Sequence, residues 1–381
     1  MDRSNRAFNT ECIMNDLQFK KLKSIARKNI LSILDNTGLV HDGRITSSNL
    51  DTFISYPINI IGSGVISLSA IEKPFSYGVI ADGILTITRG TNKTTQSVQN
   101  VDEFPIRPEC NLLQGSFRDA NEINRLKAFA DKDLSRVALS CIHINDTYIS
   151  ATDAHKVRWV AKSSTVSNLL IPPSLFGLLT DKYSVWFDDT EKPVNMKFIG
   201  YGGEEIVTRT IMVNYPNIKA VIPATRPVKF TINTSYLLEA IAMTIACSEK
   251  SKPNICFRLI GNFLHVSAAN IETNATYAAT YNVLREGYLG EFHIFFDANF
   301  LKSIAEIYKT SWMTFEMHQS NRPVVINDNN LLMPTSEEST SQEIKVFDKM
   351  VEEYLNPEPI VSAEVKKARR KLVTKVVLLH H

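Results

Sequence analysis

Three stretches of this chain share one layout, and a layout that recurs limits the possible folds far more tightly than composition does. The first is "GLVHDGRITSSNLDTFISYPI" from Gly38, the second "SCIHINDTYISATDAHKVRWVA" from Ser140, and the third "FRLIGNFLHVSAANIETNATYAA" from Phe257. Each reads as a short β-branched strand, a turn, and a second strand. The turns are Asp42-Gly43, Asn145-Asp146 and Gly261-Asn262, pairs that favour tight hairpins. Each second strand runs into a small polar segment ending at Asn49, Asp153 or Asn270, and another extended run follows. These three markers lie 104 and 117 positions apart, the length of one small domain.

A helical pattern precedes each hairpin. Residues 15–28 begin on a good N-cap pair and are apolar at Leu17, Leu22 and Ile25; residues 119–133 carry Ile123, Leu126 and Phe129; residues 233–249 carry Leu237, Leu238, Ile241 and Ile245. A second helix is expected at 172–181 and 297–309, and its counterpart near "SLSAIEKPF" is cut short by Pro74. The expected fold is therefore α+β, with helices on one face of antiparallel sheets, in three similar domains. Proline clusters place the boundaries at 1–109, 110–223 and 224–337. Residues 338–381 form a charged tail that reads as two amphipathic helical segments joined at "NPEP".

The charge balance narrows the choice of partner. Net charge is +2, and beyond Glu338 there are eight basic and six acidic residues, so 42 − 8 and 40 − 6 leave 34 of each sign in the body. A neutral body does not hold a polyanion by bulk charge. Cys12, Cys110, Cys141, Cys247 and Cys256 are odd in number and lack any CxxC, which points to a reducing compartment without disulfides. The polar N-terminus has no apolar core of a signal peptide, and no apolar run reaches the roughly 18 residues of a membrane span. Cytoplasmic residence is expected.

"ISATDAHKVRWVA" (149–161) is the most reactive-looking stretch. Asp153 and His155 share a strand face at i and i+2, which allows a catalytic pair. It equally allows an aspartate that fixes a turn by accepting backbone N–H groups beside an exposed histidine. A nucleophile elbow, a phosphate loop and histidine pairs at metal-binding spacing are all missing from the sequence, so no cofactor or metal is expected. Cations gather on the helical patterns: Lys20, Lys21, Lys23, Arg27 and Lys28 on the first, Arg118, Arg125 and Lys127 on the second, and Lys302 and Lys309 on a third-repeat helix. They make either solvated helix faces or a common surface for phosphates, without aromatic residues interleaved to stack single strands.

"SRVALSCIHINDTYISATDAHKVRWVA" resembles the second domain of the bacterial DNA polymerase III beta subunit, the sliding clamp, which typically reads R-P-V-L-x-G-V and then A-T-D-G-H-R-L. "TRTIMVNYPNIKAVIP" (208–223) is similar to the segment closing that domain, "NLLMPTS" to the final L-M-P strand, "NILSILDNTGLVHDGRITSSNLD" to the first-domain hairpin, and "DEFP" to its D-F-P. The likeness runs over about residues 15–336. It implies a head-to-tail homodimer in which each chain forms half of a closed ring, with helices facing a hole that holds duplex DNA. It implies a non-catalytic processivity factor that meets polymerase and clamp loader through short peptides, without membrane association. Carried over by position, the peptide pocket comprises Leu139, Thr152, Ala154, His155, Lys156, Val157, Pro223, Val228, Leu331, Met333 and Pro334, and the cations named above face DNA.

The departures are specific. Ala154 stands where the family has glycine, and Lys156 and Val157 where it has arginine and leucine. The first domain lacks a strand or part of its second helix. Chains of the family usually end a few residues after M-P, and this one continues for more than 40. The competing readings are a clamp-like scaffold that does not load on DNA, and a hydrolase or nuclease using Asp153, His155 and His143.

Overall fold

The computed structural model describes residues 14–27, 29, 31–248, 253–270, 272–273, 275–288, 290–335 and 348–349. The element order recurs three times. Helices Asp16–Ala26, Ala120–Leu126 and Thr234–Cys247 each lead into a hairpin, at Thr37–His41 and Arg44–Ser48, Ile142–Ile144 and Tyr148–Thr152, and Asn254–Ile260 and Phe263–Asn270. A third strand follows, Thr52–Pro57, Lys156–Ala161 or Ala275–Asn282, and each repeat closes on three successive strands ending at Asn92–Ser97, Glu205–Arg209 or Asn330–Leu332. Strands Leu112–Phe117 and Val228–Asn233 precede the helices of the second and third repeats. The corresponding place in the first repeat falls on residues before Met14, outside the described part.

Local chemistry accounts for these elements. Asn15 caps the first helix by accepting from the Gln18 amide at 2.9 Å while Gln18 Oε1 accepts from the Asn15 amide at 2.9 Å, a reciprocal capping box. Asp42 and Gly43 take positive φ values of 48° and 66°, as a type I′ turn demands, so Thr37–His41 folds back on Arg44–Ser48 with His41 opposite Arg44. In the second hairpin Asn145 pairs with Tyr148, so the turn lies on Asp146 and Thr147, one residue later than the sequence suggests.

Several expected helices are shorter than their patterns. The helix expected over 119–133 ends at Leu126, because Phe129 and Ala130 turn inward to be buried and an Arg136–Asp131 ion pair of 2.7 Å organises the chain beyond. Asp119 does not cap it; its carboxylate accepts from the Ser163 and Ser164 amides at 2.9 and 2.8 Å. The segment 172–181 makes one 3-10 turn, Pro173–Leu175, and stops where Gly177 takes φ 86°. Leu17 is 53% exposed, so the buried stripe of the first helix is Leu22, Ile25 and Ala26.

By packing, the chain divides into two compact units: the chain to Arg125 with His143–Ile149 and Ala161–Val213, and Leu126–Ile142 with Ser150–Val160 and the chain from Asn214 on. The first unit holds a sheet in the order Gly64–Ser67, Thr37–His41, Arg44–Ser48, Thr52–Pro57, Glu205–Arg209, Asn195–Gly200, Tyr183–Phe187, Leu112–Phe117. Its middle joins two repeats, with Phe53 opposite Val207 and Thr52 opposite Thr208. A smaller sheet carries Ile60–Ile61, Tyr77–Ala81, Ile84–Arg89 and, at its edge, Asn92–Ser97. The second unit repeats the join, with Val157 opposite Leu331. From there the order runs through Val324–Ile326, Trp312–Met317 and Val228–Asn233 to Leu284–Gly287. A separate four-stranded sheet runs Ala275–Asn282, Phe263–Asn270, Asn254–Ile260, Phe292–Asp297. Its core is aromatic: Phe230 stacks on Phe315 at 4.7 Å and Phe257 meets both edge-on.

One buried charge cluster ties the repeats of the first unit together. Glu204 accepts from Lys21 Nζ at 2.7 Å, from the Tyr183 hydroxyl at 2.6 Å and from the Tyr56 hydroxyl, and Lys21 also donates to Thr180 at 2.8 Å. Lys21 is 5% exposed, so removing one partner strands a buried charge. Lys21→Ala is expected to destabilise the protein by ~3–5 kcal/mol in urea unfolding, and Lys21→Met with Glu204→Gln by much less. A single-variant loss below about 1 kcal/mol would show a solvated pair instead.

Candidate functional site

The segment 149–161 is organised around Asp153. Its Oδ1 accepts from the His155 amide at 3.0 Å and the Lys156 amide at 2.9 Å, and Oδ2 takes the Lys156 ammonium. The markers of the other repeats do the same work: Asn49 Oδ1 accepts from the Thr52 amide at 2.8 Å, and Asn270 Oδ1 from the Glu272 and Thr273 amides at 3.0 and 3.2 Å. All three are side-chain oxygens that hold the turn into the third strand. Ala154, at φ 75°, occupies the left-handed position of this turn, where glycine carries no strain.

This arrangement disposes of the catalytic pair. The Asp153 carboxylate is spent on two amides and an ammonium, and the exposed His155 ring lies flat on Phe300 at 4.9 Å between centroids. Burial lowers the His143 pKa. Cys141 is fully buried, its thiol pushed up to about 11 by burial, so it is no thiolate at neutral pH. Among the described residues no three His, Cys, Asp or Glu side chains cluster as metal ligands.

The pocket residues expected from the resemblance separate into a visible set and a supporting set. Strand Lys156–Ala161 runs antiparallel to Asn330–Leu332, and the Met333 amide donates to the His155 carbonyl at 2.8 Å. His155, Met333 and Pro334 thus come together with part of their surfaces accessible, and Ala154 is exposed beside them. Leu139 is half-buried; its carbonyl accepts from the Asp131 amide, and Arg136 reaches from the same loop to the Asp153 carbonyl at 3.4 Å. Thr152, Lys156, Val157 and Leu331 are instead buried, at 4, 5, 6 and 1% exposure.

Lys156 is a correction: its ammonium is enclosed by Asp153 and the rings of Phe129 and Phe300, 5.5 and 5.3 Å from their centroids, so it supports the site from beneath. Val228 is 2% exposed on a strand separated from Lys156–Ala161 by three others, and it faces Met317 and Gly287 in register. Pro223 is half-buried after the turn Ile218–Val221. Phe129 and Phe300 escaped the sequence reading because nothing in the local pattern joins residues so far apart.

The helix cations also divide. Lys21 is internal and cannot face a ligand, which corrects its assignment to a DNA surface. Lys23 is paired with Glu72 and Arg125 with Glu122, both at 2.8 Å. Lys20, Arg27, Arg118, Lys127, Lys302 and Lys309 are exposed. Arg118 stands before its helix and Lys127 and Lys309 after theirs, and Lys28 lies outside the described residues. Lys20, Lys23 and Arg27 line one recess with Ser24, Asp35 and Asn36.

No family model matches the chain. The beta sliding clamp of Treponema pallidum is 22% identical over 277 residues, covering 64% of this chain and 74% of that protein. Among solved structures, a Pseudomonas aeruginosa DNA polymerase sliding clamp aligns with TM-score 0.68 at 17% identity over 84% of this chain and 96% of its own. The beta subunit from DNA polymerase of Streptococcus pyogenes gives the same score, identity and coverage. The fold is that of the sliding clamps.

The shared turn chemistry makes the repeats unequal in a measurable way. Asp153→Ala is expected to cost ~3–5 kcal/mol of stability because it strands the buried Lys156 ammonium. Asn49→Ala removes a neutral acceptor and is expected to cost ~1 kcal/mol. Equal losses in urea unfolding would mean that the ammonium does not depend on Asp153.

Proposed function

We propose that this chain is a divergent beta-type sliding clamp, a non-catalytic processivity factor that encircles duplex DNA in the cytoplasm and tethers a polymerase by a peptide site. The observation that carries the reading is the likeness to clamp structures across 96% of their length, over a chain whose element order recurs three times. A topological link suits the charge pattern. The body is neutral, and helix Thr234–Cys247 carries no lysine or arginine. Contacts of this kind hold phosphates weakly and without sequence preference, so the protein slides.

The strand pairing supports a homodimer. In the first unit the third strand of one repeat pairs with the last strand of the next, and the second unit does the same. That rule leaves two strands over: Ala275–Asn282, third strand of the last repeat, and Asn92–Ser97, last strand of the first repeat. Both are sheet edges. Joining the first of these in one copy to the second in another repeats the existing join and closes two chains head to tail, leaving no such edge open. The peptide site is the shelf of His155, Met333 and Pro334 with Leu139 and Ala154 beside it. Thr152, Lys156, Val157 and Leu331 hold it in place. The divisions near residues 109 and 223 mark the repeats, and the joins cross them.

Two experiments test this. Loaded on nicked circular duplex, with a clamp loader where loading needs one, the protein is expected to stay bound in moderate salt and to leave when the circle is cut. Equal retention on both forms would replace encirclement with charge-based binding, and failure to load even with a cognate loader would leave a scaffold. Separately, Thr94→Pro and Thr95→Pro place a proline at alternate positions of the edge, and one of them removes an outward N–H. That one is expected to convert dimer to monomer in sedimentation; a dimer in both variants would move the interface elsewhere.

A further inference from the structure

The four-stranded sheet of the second unit has two unlike faces. One carries Phe257, Leu259, Leu264, Val266, Ile294 and Phe296 into the core. On the other, Arg258 stands in register between His265 and His293, Cys256 between Ser267 and Phe295, and Ile260 opposite Phe263. This face is aromatic and apolar around one guanidinium. Cys256 and Phe295 are each 2% exposed, while Ile260 and Phe263 at its margin are 40% and 46% exposed.

Two contacts tie the end of the chain to this face. Past Pro334, the Thr335 amide donates to the Phe295 carbonyl at 3.0 Å. Thirteen positions later, Asp348 accepts from Arg258 Nη1, while Glu291 accepts from Arg258 Nε at 2.7 Å. The Arg258 side chain is 20% exposed, and its fork is divided between one carboxylate of the sheet unit and one of the extension. In the sequence, Ile344, Phe347, Val351 and Tyr354 recur at helical spacing around Asp348.

We propose that this face is the docking surface for the chain's own extension, residues 344–355, with Asp348 seated on Arg258 as the polar anchor and the apolar stripe against Ile260, Phe263, His293 and Phe295. Leaving the peptide shelf at Met333 and Pro334, the chain is fastened at Thr335 and again at Asp348, so the extension is held on the sheet instead of lying across the shelf. The charge pair sets its register, and the apolar contacts supply its area.

Hydrogen exchange of the full chain tests this through the amides of residues 344–355. In the unaltered protein they are expected to exchange at least about tenfold more slowly than in the free peptide. Asp348→Arg and Arg258→Glu are each expected to abolish that protection, and the two together to restore it. Asp348→Arg leaves the sheet untouched, so its loss of protection is not an unfolding effect. Exchange at the free-peptide rate in the unaltered protein, or identical protection in all four forms, would overturn the assignment. Protection that rises with protein concentration would place the extension of a second copy on this face and overturn the assignment in cis.

Discussion

In each repeat a side-chain oxygen holds the turn that aims the third strand, and this small constraint governs how the repeats are joined. Asn49, Asp153 and Asn270 all accept backbone N–H groups at the same point of the unit. The strand that follows must leave at a fixed angle, and in two cases it leaves straight into the last strand of the next repeat. A repeat that ends on an outward strand and begins on another cannot satisfy its own edges. It is built to be continued, and among repeats of one kind only another copy continues it without a new type of contact.

The second marker differs from the others because it carries charge. Asn49 and Asn270 need only accept; Asp153 also balances Lys156, which sits between Phe129 and Phe300. A carboxylate, an imidazole and a hydroxyl in one short stretch look like chemistry on paper, yet the geometry spends each on support. Thr152 donates to the Lys156 carbonyl at 2.9 Å, Asp153 closes the turn, and His155 lies on an aromatic ring. What remains accessible is a shelf of imidazole, thioether and proline.

Much of this was legible in the sequence because it rests on short-range signals. Asp42-Gly43 and Gly261-Asn262 announced their hairpins, Asn15 announced its helix, and the spacing of Asn49, Asp153 and Asn270 exposed the repeat. What stayed hidden depends on partners remote in sequence. Lys21 looks like its neighbours Lys20 and Lys23, and only the approach of Glu204, Tyr56 and Tyr183 makes it internal. The helix after Asp119 has the right periodicity past Leu126, but burial of Phe129 is worth more than further helical turns. The joins between repeats, which cross the boundaries read from proline clusters, have no local signature at all.

The same distinction bears on the residues past Pro334. Composition makes them a charged tail, and a charged tail is ordinarily solvated. Asp348 alters that reading because its partner is already committed. Arg258 is mostly buried and bonded to Glu291 through Nε, and its Nη1 donates to Asp348, so the second carboxylate adds a charge-assisted bond to a guanidinium already held in place. An isolated surface pair of this kind is worth at most about 1 kcal/mol, too little to order a long segment by itself. The apolar stripe around Asp348 must therefore supply the rest of the affinity, and a reversed charge that repels Arg258 is enough to undo it. The ion pair then decides which register of the stripe is allowed, as single polar contacts do in other apolar interfaces.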